Sequence, residues 1–170
     1  MKKMTLPQLA REMQALEILS TSVQATQTLG ENLARLLAAG DVIALQGDLG
    51  AGKTNLVQGI ARGLDITEDV NSPTFILANE YTRGRLPLYH IDAYRLENAA
   101  EARGFGLDDY LNGDGVTVIE WAERVRAALP QDVLWIELEY AGEQARRIRI
   151  TAHGARAAAV LNELKHVVGN

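Results

Sequence analysis

The sequence contains no cysteine. That excludes a disulfide framework, a thiolate metal site and a thiol nucleophile. It also suits a reducing compartment, so a cytoplasmic location is expected. Histidine is scarce, with only His90, His153 and His166, which leaves no material for a His-rich metal site. Long apolar runs are missing; none approaches the roughly 20 residues that a membrane-spanning helix needs. The basic start, Met1 to Pro7, lacks the continuous apolar core of a signal peptide, so no membrane association is expected. Positive charge is in deficit, with 17 basic against 22 acidic residues and a net charge of −5. A freestanding nucleic-acid binder usually shows the opposite sign. Lysine itself is nearly absent, and Lys53 is the only one between Lys3 and Lys165.

What remains is globular in composition. Hydrophobic residues make up 47% and charged residues 23% of 170 residues, enough for one domain with a substantial core. Residues 5–19 read as a short helix with Pro7 near its first turn. A second helix is capped by Thr21 or Ser22, carries Val23, Thr26, Leu29, Leu33, Leu36 and Leu37 at helical spacing, and ends at Gly40. Val42 to Leu45 reads as a buried strand, and the face of Leu56, Val57, Ile60, Ala61 and Leu64 as a helix closed near Gly63. Strand character recurs at Phe75 to Thr82, at Leu86 to Ile91 and at Val116 to Ile119. Pro87 limits the second of these to an edge or a strand start. Residues 96–111 are helical in pieces around Gly104-Phe105-Gly106, and Asn112 to Gly115 is a loop. The stretches 133–140 and 146–151 alternate as an antiparallel pair, and 155–167 closes the chain as a helix. This order predicts an α/β fold with a mixed sheet, parallel around Gly47–Thr54 and antiparallel elsewhere, flanked by helices.

Between the first buried strand and its helix stands Gly47-Asp48-Leu49-Gly50-Ala51-Gly52-Lys53-Thr54, a full match to G-x-x-x-x-G-K-[ST]. Glycines let backbone N–H groups converge on phosphate oxygens, and the following helix points its positive end at the same place. Lys53 supplies a mobile charge to the β- and γ-phosphates, and Thr54 a hydroxyl to Mg²⁺. In a chain that uses arginine nearly everywhere else, a compact ammonium is kept where a planar guanidinium would crowd the cradle. Asp48 to Asn55 are therefore the expected nucleotide-binding residues.

Such a cradle needs a carboxylate near the metal, at the end of a neighbouring strand. Two qualify: Glu120 after Val116-Thr117-Val118-Ile119, and Asp92 after Leu88-Tyr89-His90-Ile91. One would hold Mg²⁺ and the other orient the attacking water. The purer apolar strand favours Glu120 for the metal, with Asp92 left for the water. His90 shares a strand face with Asp92 and reads either as a general base or as a packed residue that positions its neighbour. Thr74, in Ser72-Pro73-Thr74-Phe75, reads either as a γ-phosphate sensor or as part of a turn. Seven of the nine aromatics fall between Phe75 and Trp121, as core or as pocket lining, and Trp121 directly follows a candidate site carboxylate.

Taken together, the cradle, Ser72-Pro73-Thr74-Phe75, Tyr89-His90-Ile91-Asp92-Ala93-Tyr94-Arg95 and Ile119-Glu120-Trp121 resemble, in order and spacing, the TsaE (YjeE) family over about residues 20–155. The resemblance implies a P-loop ATPase of tRNA threonylcarbamoyladenosine (t6A) biosynthesis. It would be one domain spanning residues 1–170, in which residues 1–19 are an N-terminal extension without an assigned role. Its partners would be TsaD and TsaB, with tRNA reached through the complex, and its ATP hydrolysis would support turnover of that complex. ATP and Mg²⁺ are the implied cofactors. Carried over by motif, Thr54 and Glu120 ligate Mg²⁺, while Lys53, Asp92 and Glu120 serve hydrolysis. Trp121 lies beside the nucleotide, and Gln24 or Thr26 approaches its base. Arg146 matches a family arginine, whereas Ala145 stands where glycine is common.

Two other functions use the same cradle. One is a small-molecule kinase, with Arg83/Arg85 or Arg124/Arg126 on a lid. The other is a nucleotide-gated binding module with little turnover. A guanine-specific switch is disfavoured, because no N-K-x-D follows the cradle. No arginine is clearly placed to stabilise the transition state, Arg95 being a candidate, so hydrolysis is expected to be slow alone and faster with partners.

Overall fold

A computed structural model describes residues 3, 5–7 and 14–169. One seven-stranded sheet organises the chain, in the order β1-β7-β6-β2-β5-β4-β3. Its strands are β1 (Ala15–Ser20), β2 (Val42–Gly47), β3 (Ala78–Tyr81), β4 (Leu88–Asp92), β5 (Val116–Glu120), β6 (Val133–Tyr140) and β7 (Arg146–His153). The four central strands, β6, β2, β5 and β4, run parallel. β7 and β1 extend the sheet antiparallel on one side, and β3 does so on the other. The expected mixed sheet, parallel around the glycine loop, is the one observed.

Period-two alternation sorts the side chains into two cores. Ile43 and Leu45 of β2, Val116 and Val118 of β5, and Leu134, Ile136 and Leu138 of β6 point to one face. There they meet α1 (Val23–Ala34), α2 (Lys53–Gly63) and α5 (Ala155–Val168) through Leu33, Leu56, Ile60 and Leu164. Val42, Ala44, Ile119 and Trp135 point to the other face. That side is covered by α3 (Ala99–Phe105), α4 (Leu107–Leu111) and a 3₁₀ helix (Ala122–Ala128). The near-continuous apolar strands β2 and β5 are what a parallel sheet covered on both faces requires.

Most expected elements are present, and four details differ. The helix read over residues 5–19 is a strand at 15–20, while residues 8–13 lie outside the described residues. Alternation decides it: Leu16 and Ile18 pack on the core while Glu17 and Leu19 face out, and β7 supplies the hydrogen bonds. α1 is capped by Ser22, whose side chain accepts from the Ala25 N–H, but it ends at Ala34. Gly40 is left-handed, at φ 91°, in the turn beyond, not at the helix end. Phe75 and Ile76 belong to a turn, and β3 begins only at Ala78. The 3₁₀ helix after Trp121 had no sequence signal. Pro87 sits just before β4, where its carbonyl accepts from Val116 N–H at 2.8 Å, consistent with a strand start.

Candidate functional site

β2 ends in the glycine loop, and α2 rises directly from it. Gly52 precedes the helix at φ 102°, a conformation that L side chains rarely adopt. No side chain caps the start of α2 and no acid stands in its first turn. The first amides of an eleven-residue helix are thus left to other acceptors, and its positive end favours an anion. On the outside, the loop is braced through its carbonyls. Arg146 Nε donates to Ala51 O at 3.1 Å, and Tyr140 Oη to Leu49 O at 2.8 Å. The Arg146 guanidinium also stacks 4.3 Å from the Tyr140 ring centroid.

β5 and β4 end in register beside this loop, Asp92 opposite Glu120. Both carboxylates are buried, each about 3% exposed. Thr54 Oγ1 lies 3.2 Å from Glu120 Oε1 and 3.4 Å from Oε2. His90 Nε2 lies 2.7 Å from Glu120 Oε2. Asp92 has a different set of partners: Ser72 Oγ donates to its Oδ2 at 2.8 Å and Thr74 Oγ1 at 3.2 Å, while Tyr94 N–H donates to Oδ1 at 2.9 Å. The loop 72–74 is therefore tied to the end of β4 by hydroxyls.

Lys53 is buried, and its ammonium donates to the carbonyls of Gly47 and Asp48. Burial lowers its pKa from the ordinary lysine value, while Glu120, Glu123, Asp92 and Asp48 pull the other way. The Trp121 ring centroid lies 4.1 Å from Lys53 Nζ. Trp121 itself is left-handed, at φ 58°, uncommon for a bulky residue. That bend ends β5, starts the 3₁₀ helix and brings the indole over the ammonium. Tyr94 packs against the indole with ring centroids 5.0 Å apart.

These groups enclose a cavity of about 350 Å³. Leu49 to Asn55, Thr74, Asp92, Glu120 and Trp121 line it, together with Ser72 and Tyr94, which the sequence reading left out of its site. Asp48 contributes through its carbonyl, and Gln24 is exposed in the first turn of α1, outside the lining. Thr26 is buried and bonded to Ser20 Oγ at 2.7 Å, so its hydroxyl serves packing. His90 is fully buried and bonds to Glu120 on the neighbouring strand, not to Asp92, with which it shares a strand face. The brace from Tyr140 and Arg146 lay 91 and 95 residues from its targets, beyond any local pattern.

The donors fit a hard cation. A hydroxyl and a carboxylate stand together, a second carboxylate ends the next strand, and no sulfur or free imidazole is present. Among the described residues there is no cluster of three or more acidic or histidine ligands. That set suits Mg²⁺, which keeps several waters and shares phosphate oxygens.

The arginines proposed for a kinase lid are otherwise engaged. Arg85 donates to the Ala34 and Leu37 carbonyls, Arg83 lies 3.8 Å from Glu68, and Arg126 stacks on Trp135. Only Arg124 approaches the site aromatics, 5.1 Å from the Tyr94 centroid. Arg95 lies over the exposed Phe75 ring. Arg147 and Arg149 face Glu139 and Glu17, so no basic patch forms on β7. A second cavity, of about 470 Å³, opens at the other end of β2 and β6, where Arg156 pairs with Asp41 and Asp132 accepts from the first amides of α5. It has no glycine cradle. No described helix is long and apolar enough to cross a membrane.

Comparison with known proteins places this geometry. The model of a family described as threonylcarbamoyl adenosine biosynthesis protein TsaE matches residues 20–148. A tRNA threonylcarbamoyladenosine biosynthesis protein TsaE from Bacillus subtilis is 43% identical over 152 residues, covering 89% of this chain and 95% of the relative. Its counterpart from a Nostoc species is 45% identical over 152 residues, covering 87% and 92%. The crystal structure of Bacillus subtilis YdiB superimposes with a TM-score of 0.81 at 38% identity, covering 91% of this chain and 96% of that one.

Proposed function

The chain belongs to the TsaE family of tRNA threonylcarbamoyladenosine biosynthesis proteins, and from that premise we propose that it is a Mg²⁺-dependent ATPase that acts with TsaB and TsaD to support turnover of the threonylcarbamoyl-transfer complex. The observation that carries this reading is the convergence of three strand ends on one cavity. The uncapped start of α2 follows β2, Glu120 ends β5 beside Thr54, and Asp92 ends β4 in register with Glu120.

The loop amides and the start of α2 hold the β- and γ-phosphates, and Lys53 exchanges the Gly47 and Asp48 carbonyls for phosphate oxygens. Trp121 and Tyr94 wall the cavity beside the ammonium. Thr54 and Glu120 are the residues to hold Mg²⁺, which when bound neutralises charge on the β- and γ-oxygens. Asp92, released from the Ser72 and Thr74 hydroxyls, orients the water that attacks the γ-phosphorus as the bond to the ADP oxygen breaks. No arginine lines the cavity among the described residues. Because a missing transition-state arginine typically costs about 10³–10⁵ in rate, slow hydrolysis by the isolated chain is expected, with acceleration by the partners.

Calorimetry with Mg·ATP, followed by phosphate-release assays with and without TsaB and TsaD, tests this. Binding, slow turnover alone and faster turnover in the mixture are expected. Full-rate turnover unaffected by the partners would remove the coupling. Phosphate transferred to a metabolite in place of water would favour the kinase.

A further inference from the structure

His90 is wholly buried on a central strand and carries a polar ring that packing does not require. A leucine, like Leu88 two residues earlier on the same face, would fill the space with no polar atom to satisfy. The imidazole spends one nitrogen on Glu120, with Nε2 2.7 Å from Oε2, and its Nδ1 is buried with no partner among the described residues. Keeping an unsatisfied buried atom is unfavourable, and it is tolerated where the other end of the group has a function. A carboxylate oxygen only accepts, so it is the Nε2–H that donates to Glu120.

The geometry shows what that donation does. β4 and β5 pair in parallel with His90 opposite Val118 and Asp92 opposite Glu120, so His90 reaches Glu120 diagonally across the ladder. Among the described residues Glu120 has only one other hydrogen-bond donor, the Thr54 hydroxyl at 3.2 and 3.4 Å, both longer than a strong O–H···O⁻ bond. Without His90 the carboxylate would rest on that hydroxyl alone and could rotate away from it. With Oε2 held, Oε1 stays beside Thr54, and both residues line the cavity.

We propose that His90 is a positioning residue for Mg²⁺, acting through Glu120: its Nε2–H fixes the carboxylate so that Glu120 and Thr54 present one preformed pair of oxygens to the cation. The assignment rests on the nucleotide-site reading above. It predicts that metal affinity, and not metal-free nucleotide affinity, depends on a donor at the position of Nε2. Partners that orient a ligand in this way typically change metal affinity by roughly 10- to 100-fold when removed.

The test uses the full chain and Mn²⁺, counted by electron paramagnetic resonance in the presence of a non-hydrolysable ATP analogue. Three variants are compared, each checked for folding by circular dichroism: His90→Gln, whose amide reaches the position of Nε2; His90→Asn, whose shorter amide does not; and His90→Leu. Asn and Leu should weaken Mn²⁺ binding by about tenfold or more, while Gln stays within about threefold of the native chain. Affinity for the analogue in EDTA should be unchanged in all three. Should the leucine variant fail to fold, the Gln–Asn pair decides. Equal Mn²⁺ affinity in that pair, with the native chain binding normally, would overturn the positioning role alone. Failure of the native chain to bind Mn²⁺ with the analogue would overturn the nucleotide reading and this assignment with it.

Discussion

Glu120 and Asp92 occupy matching positions on adjacent strands, yet their surroundings differ. Glu120 is tied to Thr54 and His90, whereas Asp92 is held by the hydroxyls of Ser72 and Thr74. Glu120→Gln keeps the shape and removes the charge. Nucleotide binding should persist, and Mg²⁺-dependent turnover should fall by about 10²-fold or more, the loss expected when several kcal/mol of metal-centred stabilisation disappear. Unchanged turnover in a phosphate-release assay would move the metal to Asp92. Trp121 offers a direct optical readout, since its ring lies 4.1 Å from the Lys53 ammonium, the group proposed to engage phosphate. The other tryptophan, Trp135, is buried and donates to Gln46. Tryptophan emission should therefore change on adding Mg·ATP and stop responding in Trp121→Phe. A flat titration, with binding shown separately, would place the indole outside the site.

The helices that position the loop pack unusually close. A Cβ built on Gly59 of α2 would lie 2.1 Å from the Gln27 carbonyl oxygen of α1, which cannot yield without moving its helix. Gly104, in α3, has nothing within 4 Å of the same added atom. Opposite signs follow for the same substitution. Gly59→Ala should destabilise by about 1–3 kcal/mol through overpacking. Gly104→Ala should stabilise by roughly 0.5–1 kcal/mol, because alanine favours helix and restricts the unfolded chain. Urea denaturation of both variants reads the difference, and equal midpoints would refute the close-contact argument. Because the start of α2 lines the proposed nucleotide cavity, the displaced Gly59 variant should also bind nucleotide more weakly.

On the scale of the whole molecule, the site is assembled from three strand ends, a 3₁₀ helix and the 72–74 loop, so a ligand there ties distant segments together. A nucleotide that binds only the folded chain stabilises it by mass action, about 2.7 kcal/mol at one hundred times its dissociation constant. For a chain of this size, each kcal/mol raises the melting temperature by roughly 2–4 °C. Mg·ATP at that excess should thus raise Tm by about 5–11 °C in a thermal melt. No shift at saturating ligand would contradict binding at the cavity. The acidic balance, 22 acidic against 17 basic residues, disfavours tRNA binding by this chain's own surface.

The strands, the cradle and both carboxylates were legible because each rests on local chemistry: apolar runs that must be buried, glycines that must bend and acids that end a strand. The match of Gly47 to Thr54 points to the loop that lines the candidate cavity. Tertiary structure alone decided the rest. Residues 15–20 became a strand because β7 offered an unpaired edge, overriding a helical reading. His90 became a brace for Glu120, and Tyr140 and Arg146 a brace for the glycine loop, through contacts spanning 30 to 95 residues. Periodicity reports which face a side chain takes; only the strand order β2-β5-β4 brings those strand ends to one cavity, because pairing between distant strands is set by the packing of the entire sheet.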